Sequence, residues 1–472
     1  MFPRADDSAL KSERSQEGGL HAPQGTFTPG GRRRAVLLAV CAAALAVVLT
    51  AGAAVLGSQG RDGGRPAAAS AARGVDPVLF AAGDFRTTIG ALQSQLRAQP
   101  EDFGSWATLG LAYVEQARTD GDPSRYPQAE QALNRSLALR PGNDPALAGR
   151  AALAAARHDF DGALRYADQA LAVNPYSERA LCSRIDALVE LGRYDEASKA
   201  ADVADARRPG IPVFTRYAHV RELRGDVASA NRVLEQASAT ATSPGDVAYV
   251  ATALGQLAWN QGHYPAALRH YARALQADAS YLPALEGRAR ALDADGDHAQ
   301  AIRDMEAVVA RYPLPGPLVA LGEMYEARGG EGDRAKARQQ YALVDVWISL
   351  ARANEVDADL DTALAAADHG DRTAALSAAR AEWARRRTVH TADALAWALH
   401  VNGRDAEALP YARRATATGY RSAAFRYHRG VIEYATGDTA AARRSLSAAL
   451  GLNAGFSPLG ARRAHQVLEA AK

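Results

Sequence analysis

The stretch LGRYDEA, residues 191–197, sets a glycine two residues before an aromatic and five before an alanine. The same glycine-to-alanine spacing returns in GHYPAA (262–267), GDHAQA (296–301), GDRTAA (370–375), GRDAEA (403–408) and GDTAAA (437–442). Nothing in it performs covalent chemistry, so its recurrence points to architecture. Aligned on the glycine-type position, copies start near Ser124, His158, Gly192, Gly225, Gly262, Gly296, Gly332, Gly370, Gly403 and Gly437, in steps of 33 to 38 residues. Alanine stands five residues on in each, from Ala129 to Ala442. A period near 34 without alternating β-branched runs means stacked helix pairs. The glycine is expected to end the first helix of a pair in the left-handed conformation. Tyr126, Phe160, Tyr194 and Tyr264 would cover that turn with apolar area. The alanine would lie where two antiparallel helices cross closely.

One copy is fuller. Trp106, Leu109, Gly110 and Tyr113 follow a W-x2-L-G-x2-Y spacing, completed by Ala129, Leu133 and Pro141 after the insertion TDGDPSR. Leu321-Gly322 with Tyr325, and Leu254-Gly255 with Ala258, are partial copies; Pro175, Pro209 and Pro313 keep the punctuation. On these residues the chain resembles the tetratricopeptide repeat family from about residue 84 to its end. Later copies lose the tryptophan and the proline, and Val344–Val356 reads as irregular. The resemblance implies an all-α fold: a right-handed α-solenoid of about ten helix-turn-helix repeats over 102–456. Capping helices are expected at 79–101 and 457–472, the second opened by Ser457-Pro458.

Composition sets limits on function. The formal charge of the 472-residue chain is +2, from 55 basic and 53 acidic residues, which argues against a nucleic-acid binder. Cys41 and Cys182 are the only cysteines, too few for a disulfide framework or a zinc cluster. Residues 35–57, AVLLAVCAAALAVVLTAGAAVLG, carry no charge and follow Arg32, Arg33 and Arg34. A helix of that length rises about 34 Å, enough to cross a hydrocarbon core of roughly 30 Å. The expectation is one membrane helix at 35–57, behind a disordered tail (1–34) and before a flexible linker (58–78). The arginine triplet favours an inner amino terminus and an outer repeat domain at a cytoplasmic membrane. Export with signal cleavage, near Ala51-Gly52-Ala53, is the alternative.

No nucleophile elbow, P-loop, dinucleotide turn or HExxH motif occurs in the sequence. His263 and His270 stand two helical turns apart, too far for one metal ion alone, and Asp357, Asp359 and Asp361 lack the rest of a calcium loop. The expectation is therefore no catalytic residue, no metal and no cofactor. In the family resembled, the first helix of each pair lines a concave groove. Its inward positions project here onto Arg179, Asp186, His219, Glu222, Gln256, Trp259 and Asn260. Farther on they select Arg290, Glu323, Trp397, His400, Tyr427 and Tyr434, with Glu286, Asp293 and Glu326 making the middle acidic. Tryptophans and tyrosines there would anchor a peptide or fill gaps between helices. The resulting expectation is a membrane-tethered, non-catalytic adaptor that binds a protein or peptide partner and aids assembly of an envelope or transport complex. An envelope hydrolase with an unrecognised site and a small-ligand-binding module are the alternatives. Oligomeric state stays open.

Overall fold

The computed structural model describes residues 85–120, 123–353 and 360–471. The expected tail, membrane helix and linker, and Asp357 and Asp359, lie outside the described residues. Among those described, no helix is long and apolar enough to cross a membrane, and no strand occurs. A leading helix, α1 (Phe85–Ala98), precedes the first pairs: α2–α3 (Phe103–Asp120, Tyr126–Leu139), α4–α5 (Asp144–Ala156, Phe160–Val173) and α6–α7 (Glu178–Glu190, Tyr194–Arg207). Next come α8–α9 (Ile211–Leu223, Val227–Thr240), α10–α11 (Pro244–Asn260, Tyr264–Ala277) and α12–α13 (Leu282–Asp295, His298–Arg311). The later pairs are α14–α15 (Pro315–Arg328, Asp333–Ala353), α16–α17 (Leu360–His369, Arg372–Arg385), α18–α19 (Val389–Val401, Asp405–Ala415) and α20–α21 (Ala423–Ala435, Thr439–Leu452). The last helix is α22 (Pro458–Ala470).

The repeat motif acts through packing. All ten motif alanines, from Ala129 to Ala442, are at most 1% exposed. The companion glycine of the first helix leaves a slot for a large side chain of the second: Leu133 lies against Gly110, Tyr271 against Gly255 and Gly287, and Tyr341 against Gly322. Small residues thus let paired rods approach, and one large residue fills the remaining space. At the turn, Gly192, Gly225, Gly262, Gly296, Gly332, Gly403 and Gly437 have positive φ, and His158 takes the same conformation in its copy. Gly370 departs from this, because it has no positive φ. Where aspartate follows the glycine, it caps the second helix: Asp226, Asp297 and Asp438 accept the N–H of Ser229, Gln300 and Ala441.

Where the repeat signature is lost, from Val344, helix α15 continues to Ala353, 21 residues in all, with Val344 and Trp347 buried on one side. Residues 344 and 347 are spaced to share a helical face, which the lost repeat signature concealed.

First helices of most neighbouring pairs pack against one another, whereas neighbouring second helices meet more sparsely, through long side chains such as Arg273 with Ser238 (2.8 Å) and Arg380 with Glu407 (3.9 Å). A stack whose first helices meet while its second helices splay apart must curve, with the first helices inside. The curvature is tight enough for the chain to land on itself. The Val389 N–H donates to the Tyr194 hydroxyl (2.7 Å), and Arg386 reaches Glu190 (3.2 Å). Asn453 donates to the Trp259 carbonyl and accepts from the Tyr264 hydroxyl, both at 2.7 Å. The separations are 195, 196, 194 and 189 residues. One superhelical turn therefore spends between five and six repeats.

Apolar contact reinforces this joint. Leu181, Ile185 and Val220 from the first turn share a cluster with Val389, Ala392, Ala415 and Phe425 from the second. The turn glycines fit it closely: a β-carbon at Gly192, Gly225 or Gly262 would strike the backbone carbonyl of Arg387, Gly419 or Leu452. The aromatic of LGRYDEA and GHYPAA accordingly has a second task beyond covering its own turn. Its hydroxyl bonds the next coil.

Candidate partner-binding groove

The inner wall carries the projected groove residues, and the structure divides them into two groups. The first lies on α6, α8 and α10. His219 and Gln256 are exposed. Gln256 donates to Asn260 Oδ1 (2.8 Å), and Asn260 donates onward to Glu222 (2.7 Å), so three of the projected residues form one hydrogen-bonded row. Burial raises the Glu222 carboxyl, with His219 and Asn260 pulling the other way. Asp186 accepts from Arg216 Nε (2.9 Å), and Arg179 lies 3.5 Å from Glu115. Facing this group from the second turn is His390, which burial, with His219 and Arg386, pushes down to about 3. Its imidazole is neutral at physiological pH. Arg386 is 5% exposed and bonds Glu190 and Glu382, which supplies the pairing a buried guanidinium needs.

The second group belongs to α14, α16, α18, α20 and α22. Glu323 accepts from Ser457 Oγ (3.1 Å) and meets His369 Nε2 (3.2 Å), whose ring stacks on Tyr341 at 4.0 Å. Burial works against charge on His369, but the bond to and charge of Glu323 outweigh it and raise the imidazole. The Trp397 indole donates to Asp368 (2.6 Å) and stacks on His428 at 4.2 Å. His428 Nδ1 lies 2.9 Å from Asp393. Burial again opposes the charge, Asp393 outweighs it, and His428 is raised. Asp368 remains open to solvent, yet the surrounding protein raises its carboxyl against the pull of His428 and Trp397. Open access combined with enclosure on all sides is what a groove lining shows.

Not every projected residue lines an open surface. Trp397 and Tyr427 are 3% and 5% exposed and belong to one interior cluster with Val431 and Leu446, filling gaps between helices, with Ala464 of α22 in the same cluster. Trp259 is half-buried at the joint between turns, where its carbonyl accepts from Asn453. His400 bonds Asp405, burial lowering the imidazole against that carboxylate. Arg290 pairs with Glu286 (2.7 Å). Tyr434, at the end of α20, is 37% exposed. The reason is register: Trp397 and Tyr427 sit where first helices face each other, about one residue from the groove face, and one residue rotates a helical position by about 100°.

Sequence reasoning missed Asp368, His369, Asp393 and His428. A signal was available for one pair: Asp393 and His428 stand 35 residues apart, one repeat, on successive first helices. Among the described residues, no group of three or more His, Cys, Asp or Glu side chains is arranged to hold a metal ion.

Three segments, 147–212, 252–315 and 393–456, match the tetratricopeptide repeat family, each covering about two helix pairs. No curated protein matches the chain. Among solved structures it is similar to a thermophilic tetratricopeptide repeat protein of Thermus thermophilus, with 23% identity over 39% of this chain and 98% of that one, TM-score 0.35. It is also similar to PilF of Pseudomonas aeruginosa, with 21% identity over 46% and 94% of the two chains, TM-score 0.36. A third is the human IFIT1 dimer with m7Gppp-AAAA, with 16% identity over 72% and 88%, TM-score 0.45. The chain carries tetratricopeptide repeats, stacked as an all-α solenoid.

Proposed function

We propose that this protein is a non-catalytic adaptor, tethered to the cytoplasmic membrane through residues 35–57, which recruits a partner protein by a segment lodged in the groove of its solenoid. One observation carries the reading. The inner wall keeps polar side chains open to solvent, His219, Gln256 and Asp368, where a coil closed only for packing would bury apolar ones. Tetratricopeptide repeats generally bind protein segments, and the carboxylates of Glu222, Glu323 and Asp368 suit a basic or mixed guest. Placement beside a membrane makes assembly of an envelope or transport complex the natural task.

Photo-crosslinking from the groove tests this. A benzoylphenylalanine at His219 or Gln256 is expected to give a discrete adduct in intact cells, and one at Arg269, exposed on α11 outside the groove, is expected to give none. Identical adducts from all three positions would reject the groove. Orientation is read separately. A cysteine placed near Gly60, in a Cys41→Ala, Cys182→Ala background, should react with an impermeant reagent if the repeats face outward.

A further inference from the structure

The end of the chain does more than cover the last pair. Asn453 bonds the Trp259 carbonyl and the Tyr264 hydroxyl, and the Gly455 N–H donates to that same hydroxyl (2.7 Å). Ser457 Oγ donates to Glu323, and Arg462 donates to the Ala327 carbonyl (3.3 Å), near the end of α14. Ala464 is fully buried, and it shares an apolar cluster with Val467, Leu468, Ala366 and Trp397. Helix α22 accordingly touches α14 as well as α20. A lid for the last pair would need only α20 and α21. This helix instead reaches the inner wall at Glu323 and the Trp397 cluster, leaving Asp368 exposed beside it.

We propose that Asn453–Ala471 is a releasable strap occupying part of the groove, and that a partner engages this part through an amphipathic helix of the strap's own kind. That helix would open on a serine or threonine able to donate to Glu323. It would carry an aliphatic stripe at the i, i+3, i+4 spacing of Ala464, Val467 and Leu468, and an arginine placed like Arg462 to donate to the Ala327 carbonyl at the end of α14. The bonds that hold the strap to α10 and α14 are neutral or partly exposed and worth little net, so this element opens at lower cost than the body of the array. Release would clear the groove and loosen the joint between turns in one step.

The idea rests on the groove reading, and its test separates the two. A fluorescent peptide of residues 453–472 is titrated into the full chain and into a full chain carrying Asn453→Ala with Val467→Asp, which detaches the strap. The detached chain is expected to bind at least tenfold more tightly, because its site is no longer occupied. Equal binding, or no binding to a detached chain that keeps its helical signal and cooperative melting, overturns the proposal. If the variant does not fold, hydrogen exchange on the unmodified chain decides. Amides of Ala464 and Val467 should exchange at least tenfold faster than those of Leu446 and Ala449, and equal protection overturns the strap. Crosslinks from His219 and Gln256 that persist in either case leave the groove standing.

Discussion

Gly225 and Gly437 occupy the same position in two copies of one motif, with φ of 79° and 87°. Around Gly437 there is empty space, whereas Gly225 is pressed against the Gly419 backbone of the next coil. The local motif is the same, but its surroundings are not. Conformation explains why glycine is used at both, and contact between turns explains why Gly225, unlike Gly437, is intolerant of anything larger. A repeat protein is usually treated as a row of equal units joined to nearest neighbours. In this one, the units from about Gly192 to Gly262 also answer to units nearly two hundred residues away.

The sharpest way to break that comparison is alanine substitution. Both Gly225→Ala and Gly437→Ala place a β-carbon at positive φ, which costs about 1–2 kcal/mol. Gly225→Ala must also displace a backbone carbonyl, so its total should exceed the other by about 1–3 kcal/mol in denaturant melts. Equal losses would mean that the turns do not touch. Packing inside a pair supplies the control. Ala267→Leu in the first turn and Ala408→Leu in the second should each cost about 1–3 kcal/mol, without a systematic difference, because both residues are fully buried at a helix crossing. Hydroxyl removal comes next. Tyr194→Phe leaves the Val389 N–H unpaired and should cost about 1 kcal/mol, while Tyr126→Phe, far from the joint, should stay within about 0.5 kcal/mol.

The smallest effect is in pH dependence. His428 is raised above its ordinary 6.5, so its stabilising contribution is complete below that value and fades as pH rises through the raised one. His390 behaves oppositely. Held neutral down to about 3, it makes the fold lose stability as pH falls from 6.5 toward 3. His428→Gln should flatten the alkaline side of a stability–pH curve and His390→Gln the acid side. Unchanged curves would remove both imidazoles from the interior.

Much of the repeat was legible in advance because its determinants are local: a glycine at a turn, an alanine at a crossing, a proline between pairs. What could not be read was the distance at which the coil closes, since that depends on small rotations accumulated over several pairs. The connectors where the coils meet have lost that proline: Arg387 and Ala454 stand twelve residues after Ala375 and Ala442, where Pro141, Pro175 and Pro209 follow Ala129, Ala163 and Ala197. The groove was harder still. Its projected positions mixed solvent-facing His219 and Gln256 with interior Trp397 and Tyr427, because one helical face shades into the next and aromatic residues suit either.

The joint between coils also limits how such a chain can change its length. An open array gains or loses a unit anywhere and simply grows or shrinks. Here, duplicating or deleting one unit between Gly262 and Arg386 would bring the wrong connector opposite Tyr194, Gly225 and Tyr264 all at once. Variation in unit number is thus expected to be tolerated ahead of α6 and resisted between the two coils, so that the inheritance of whole repeats is itself constrained by a handful of hydroxyls and glycines.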